Sequence, residues 1–207
     1  MNTVTTFISA ALIQRVKLVL LKPSECWDTI SSEPANIKQL MRSLVIPLAV
    51  LSNACQFIGL QVVGVSSVLG TWRPPFFSSL AWHIATAMEY VVLIFIGAII
   101  VEKLAKLFKG EATRERCYSL LAHSMIPGAA AGILTLVPSL SIFAFIFAIL
   151  GGLFTLYNGT TKMTTVPESN KLFFTIALII SLMATARVVF YIGSLLIARP
   201  VAGLNVP

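Results

Sequence analysis

Charge is what this sequence has least of. Of its 207 residues only 11% are Asp, Glu, Lys or Arg, where a soluble domain carries roughly 25%. Little of such a chain can face water. With 57% hydrophobic residues and a mean hydropathy of +0.90, most of its surface must have lipid as its solvent. Acid is scarcer than base, 8 residues against 15. The resulting net charge of +7 does not point to nucleic acid, because the basic residues are dispersed between apolar stretches and form no single stripe. The length suits one domain of four to six helices, without a separate soluble domain.

Chemistry-bearing residues are also sparse. The three cysteines, Cys26, Cys55 and Cys117, are far apart and form no CxxC. That excludes a zinc or thioredoxin-type motif, and an odd count does not suit a disulfide framework. They read as small interior or interfacial residues. Two histidines are too few for a metal cluster of the usual type. HExxH, Walker, GxSxG and GxGxxG motifs are all missing. No catalytic residue, metal site or cofactor is therefore expected.

What the sequence does have is long apolar runs. They cover about 43–66, 81–104, 117–137, 139–160 and 171–197. Each reaches the ~20 residues that a helix needs to cross ~30 Å of hydrocarbon. Helices are the default, because every backbone donor must be satisfied inside its own segment. No strand-length alternation repeats, so a barrel is not expected. The fold class is an all-α, polytopic bundle of five transmembrane helices. Only Pro138 and its neighbours separate the third run from the fourth, so these two form a tight hairpin.

Residues 1–42 are mixed. Thr3 to Leu21 reads as an interfacial helix, with Phe7, Ile8, Ala11, Leu12, Val16 and Val19 on a broad apolar face and Gln14 and Lys17 opposite. Arg15 falls inside the apolar face. Pro23 breaks the pattern. A short helix then follows from Glu25 to about Ser31, with Ser24 as N-cap and Pro34 as stop. The segment is a poor signal peptide, since its positive charges follow the apolar run.

The loops set an orientation. Arg15, Lys17, Lys22, Lys38, Arg42, Lys103, Lys106, Lys109, Arg114, Arg116, Lys162 and Lys171 fall on one side, and only Arg73 and Arg199 on the other. By the positive-inside rule the N-terminus is cytoplasmic, and residues 200–207 form an external tail. The sequon-like Asn158-Gly159-Thr160 then lies at the cytoplasmic edge, where glycosylation is not expected.

The candidate functional residues are polar groups inside the spans, which are costly unless they pair or meet water. Glu89 and Arg187 lie ~10 and ~15 Å from the outer edge at 1.5 Å per residue, depths compatible with an ion pair. Such a pair either locks two helices or lines an outward cavity with Asn53, Gln56 and Gln61. Nearer the inner face, His123 and Asn158 share a depth. His123 is either a proton-responsive group or a histidine bonded within the bundle. Pro127 should kink the third span, while Gly128 and Gly132 form a GxxxG that permits close helix approach. The sharper reading is a broken helix with freed carbonyls. Gly151 and Gly152 offer a matching smooth surface on the fourth.

The order of the motifs is itself informative. Lys22-Pro23-Ser24-Glu25-Cys26-Trp27-Asp28-Thr29-Ile30, followed by Glu33-Pro34, resembles the lead-in of bacterial Yip-domain proteins. The polar start of the third span before a proline, Tyr118 to Pro127, is similar to that family too. So are Leu156-Tyr157-Asn158-Gly159-Thr160 and the Val166-Pro167-Glu168 to Lys171 entry to the fifth span. The resemblance covers about residues 15–197 and implies a multi-pass protein of the bacterial cell inner membrane. Eukaryotic relatives bind Rab-type GTPases through members with a long N-terminal extension; none is seen here, so Rab binding is not expected. No catalytic residues come with the resemblance. Two functions follow as expectations: a non-enzymatic organiser of membrane lipids or partner proteins, or a small transporter or channel using Glu89, Arg187 and His123. Expected partners are membrane lipids, other membrane proteins or further copies of the chain.

Overall fold

A computed structural model describes residues 9–68 and 70–202, the side chains of Ser67 and 196–202 excepted. Two short helices, α1 (Ala10–Leu21) and α2 (Cys26–Ser32), lead into the first long one, α3 (Ile37–Val63). A small antiparallel ribbon follows, β1 (Val65–Ser67) against β2 (Gly70–Trp72). Then come α4 (Phe76–Leu107), α5 (Arg114–Ser124), α6 (Ile126–Leu134), α7 (Ser141–Met163) and α8 (Lys171–Ala202). Counting α5 and α6 as one broken segment, five helices among the described residues are long and apolar enough to cross a bilayer. The expected all-α, five-span architecture is therefore present.

Which span sits in the middle follows from polarity. The α5–α6 segment carries Arg114, Glu115, Arg116, Ser119, His123 and Ser124, and it is the least apolar of the five. Lipid is a poor neighbour for these groups. The segment is 72% buried, against 17% for each of the last two spans. Helices α1, α3, α4 and α7 pack around it, and α8 lies outside, against α4. The lipid-facing helices show the converse pattern. Phe143, Phe145, Leu150 and Phe154 of α7 are all more than half exposed, which is stable only because hydrocarbon replaces water.

Several boundaries differ from those that hydropathy suggests. Helix α3 begins in the polar stretch at Ile37, where the Asn36 side chain accepts a hydrogen bond from the Gln39 N–H (3.1 Å). It also holds two π-helical turns, Met41–Val45 and Gly59–Val63. Helix α4 runs 32 residues, about 48 Å at 1.5 Å per residue, so its ends stand beyond the hydrocarbon. The short helix α2 begins at Cys26 and not Glu25. Ser24 does not cap it; Glu25 occupies the cap position, makes no cap bond, and pairs with Lys22 instead (2.8 Å). The β-ribbon has no counterpart in the hydropathy reading. Gly64 turns into it at φ +78°, a left-handed conformation that favours glycine. Arg73 then donates to the Val62 and Val63 carbonyls at the end of α3 (3.1 and 3.3 Å).

The first helix does not stand apart from the bundle. Leu12 and Val19 are buried, Arg15 and Val16 are half-buried on the same face, and α1 packs against α6. Residues 3–8 of the expected interfacial helix, the Arg199 side chain and residues 203–207 of the tail lie outside the described residues.

The α6–α7 hairpin is joined by a 3-10 turn at Pro138–Leu140. The two GxxxG glycines divide their work. A Cβ on Gly132 would run into Ser52 of α3, so that approach requires glycine. A Cβ on Gly128 would meet only Ala148 at 3.8 Å, an ordinary contact. Gly132→Ala should therefore lower the thermal unfolding midpoint, by about 1–3 kcal/mol of overpacking. Gly128→Ala should leave the midpoint unchanged or raise it. Equal losses for the two variants, measured by thermal unfolding in detergent, would refute this division.

Candidate functional site

The end of the bundle that carries most of the lysines and arginines, here called the basic face, is closed by α2. Its centre is Trp27, which is fully buried. A tryptophan removed from water needs a partner for its N–H. The Trp27 indole donates to the Thr155 carbonyl of α7 (3.0 Å). The ring fits against Gly159, where any Cβ would strike it, and meets the His123 imidazole edge-on with centroids 6.2 Å apart. Polar staples hold the rest of the cap. Lys162 pairs with Asp28 (2.6 Å), Arg15 with Glu33 (2.5 Å), and Arg116 donates to the Ser31 carbonyl (3.1 Å). Arg15 Nη1 is buried without a hydrogen-bond partner.

His123 lies beneath this cap, 2% exposed. Its Nδ1 is 2.8 Å from the Ser119 carbonyl one turn back, and since a carbonyl only accepts, Nδ1 carries the hydrogen. The other histidine, His83, uses its Nδ1 on the Ser79 carbonyl in the same way (2.7 Å). Asn158, expected at the depth of His123, donates to the Phe154 carbonyl of its own helix (2.8 Å). Asn53 donates to Ala49 and accepts from Thr86 of α4 (2.6 Å). Gln61 donates to the Pro74 carbonyl (3.1 Å), and Gln56 is exposed on α3. Most of these groups therefore turn back on their own helix or on a neighbouring loop.

Glu89 and Arg187 do not form the ion pair that their depths suggested. Among the described residues six ion pairs occur, and neither residue is in any of them. The Glu89 carboxylate lies against Gly193 of α8, while the Arg187 side chain is exposed. The structure brings neither of them to His123. Pro127 does break the third span, at Met125, whose carbonyl accepts from the Ala129 N–H (3.1 Å) and the Tyr90 hydroxyl (3.4 Å). Gly151 and Gly152 face this break: a Cβ on Gly151 would meet Pro127 at 2.8 Å.

Two cavities flank the polar centre. One, about 610 Å³, lies between α3 and α4 and includes Asn53, Phe57, His83 and Met88. The other, about 580 Å³, lies beside the helix break and is lined by Tyr90, Ser124, Gly128, Phe145, Ala148, Gly152 and Met183, among others. Both sizes are those of ligand pockets. Their walls are almost wholly apolar, and exposed residues such as Met88, Phe145 and Met183 stand at their rims. The buried hydroxyl of Ser124 has no hydrogen-bond partner. Sequence reasoning did not single out Trp27 as the keystone or either cavity. The Trp27–Gly159 contact joins residues far apart in the chain, and no periodicity signals it.

Cys26, beside Trp27, is also fully buried, with its Sγ 3.2 Å from the Pro23 carbonyl. Burial pushes its thiol up to about 11, against a smaller opposite pull from Arg15. Folding therefore favours the protonated thiol. That contribution is full below the ordinary thiol value of 9.0 and is lost as pH rises from there toward about 11. Maleimide labelling of Cys26 at about pH 7.5, where a free thiol is partly ionised, should be negligible in the folded protein and rapid after denaturation. Equal rates would mean that the cap is open.

Trp27→Ala should cost about 3–5 kcal/mol, the loss of a buried aromatic, and should make Cys26 reactive at the same pH. A variant that keeps both its unfolding midpoint and its unreactive Cys26 would show that Trp27 does not hold the cap.

The Yip1 domain family matches residues 17–196, and the chain belongs to that family. No curated protein and no solved structure matches it.

Proposed function

We propose that this multi-pass member of the Yip1-domain family acts on the bilayer without bond chemistry, organising membrane lipids and, with them, partner membrane proteins. The observation that carries this reading is the pair of cavities. Their walls are apolar and their rims are formed by residues that face lipid. A hydrated ion or polar solute would lose its water on entering and gain almost no polar partner. A hydrocarbon chain would lose nothing, and the cavities suit one in size.

The basic face supplies the second half of the reading. Lys17, Lys38, Arg42, Lys103 and Lys109 form no ion pair within the described chain. Exposed basic groups beside a membrane attract anionic headgroups, each by about 1 kcal/mol. On the positive-inside rule this face is cytoplasmic. The lead-in from Lys22 to Pro34 resembles the bacterial members, and the location that goes with it is a bacterial cell inner membrane.

The test is reconstitution of the full chain into vesicles containing a spin-labelled phospholipid. The reading expects a motionally restricted lipid fraction above the ordinary shell around five helices. It expects that fraction to fall in Ala148→Phe, which fills the second cavity. Flux of ions and small polar solutes should stay at the level of protein-free vesicles. Identical restricted fractions for the wild type and Ala148→Phe would remove the lipid reading. Solute flux above background would favour the transporter.

A further inference from the structure

Two charges inside the spans have no role in the cap or the cavities. Arg187 sits midway along α8 with its side chain exposed, among residues that face lipid: Met183, Val188 and Tyr191 are all more than half exposed. Arginine does not shed its proton in proteins. A full charge facing hydrocarbon costs several kcal/mol, so an intramembrane arginine usually faces a partner or water. Glu89 of α4 is half-buried, and it too is outside every ion pair and hydrogen bond of the described residues.

The two are on neighbouring helices, which pack side by side with Trp82 edge-on to Phe190 (ring centroids 5.6 Å apart). They still do not pair within one chain. The Glu89 carboxylate rests on α8 at Gly193. Arg187 is six residues earlier, which at 3.6 residues per turn puts it about 120° around the helix from Gly193 and ~9 Å along it. Arg187 therefore leaves α8 on a different face from the one that Glu89 touches, and its side chain is exposed there. The axial offset is one that a long, flexible arginine stem can largely cover.

We propose that a second copy of the chain supplies the missing partner. In a two-fold dimer the α4–α8 groove of one copy receives α8 of the other. Arg187 of each copy then pairs with Glu89 of its partner. The contact is self-complementary and closed, as a two-fold interface requires: two identical ion pairs form, and no charge is left over. Membrane interfaces draw on such polar contacts because the apolar residues around them gain little by leaving lipid.

The experiment uses the full chain with donor or acceptor dyes on a terminal tag, reconstituted in vesicles over a range of lipid dilutions. Wild-type copies should show energy transfer that persists on dilution. Glu89→Arg and Arg187→Glu, each alone, place like charges opposite one another and should weaken self-association about ten-fold or more. In an equimolar mixture of the two variants, one pair joins the two unaltered residues and the other joins the two substituted ones. Both pairs are then of opposite charge, and association should recover to within about three-fold of wild type. Recovery on mixing marks contact between chains, since a pair within one chain would gain nothing from it. If a charge-reversal variant fails to insert, Glu89→Gln and Arg187→Gln take its place, each expected to weaken association about three-fold or more. The proposal is overturned if wild-type copies separate on dilution. It is overturned equally if mixing restores nothing, or if the neutral variants associate like wild type. Any of these would leave Arg187 to a lipid headgroup.

Discussion

In hydrocarbon, a polar group that finds no partner inside the protein has no water to fall back on. The rest of this structure depends on that constraint. The span richest in Ser, His and charged residues is the one wrapped by its neighbours, and the most apolar spans are the ones left on the outside. The same constraint acts on single side chains. His83, His123, Asn53, Asn158, Thr155, Thr175, Ser181 and Thr185 each bond to a carbonyl one turn back on their own helix. A side chain satisfied by its own helix needs no partner from a neighbouring one. Helix packing is then decided by shape, which is why glycine contacts such as Gly132 against Ser52 and Gly159 against Trp27 matter here.

Trp27 links the lead-in to this bundle. The ring fills a slot made by the absence of a side chain at Gly159, and its N–H takes up a carbonyl in the middle of α7. Once the ring is seated, the ion pairs around α2 need only be surface staples, each worth little alone. The order of dependence runs from ring to staples. Asp28, Lys162 and Glu25 are exposed, so their pairs are screened by solvent.

The architecture was legible because membrane insertion is governed by composition over windows of about 20 residues. The five spans, the hairpin at Pro138 and the break at Pro127 all come from local signals: apolar length, a proline, a pair of glycines. The family resemblance came from motifs with the same local character. The misjudged features have local causes too. Asn36 starts α3 in a polar stretch that hydropathy discounts, and Gly64 turns the chain into a ribbon too short to show a strand pattern. Arg15 broke the amphipathic pattern of α1 on paper. In the structure it belongs on that face, since its partner there is Glu33, 18 positions away.

The sequence by itself determined that the chain lives in a bilayer, how many times it crosses and where the helices break. These are properties of segments, and each segment carries its own solvent preference. Only the tertiary structure decided which polar residues meet. Depth along the chain placed Glu89 and Arg187 within reach of one another, but the rotation of α8 sets the one against Gly193 and turns the other outward. Sequence spacing gives height in the membrane with fair accuracy. The angle around each helix axis, and so every contact between spans, is fixed by how side chains of unequal size fit together across positions far apart in the chain.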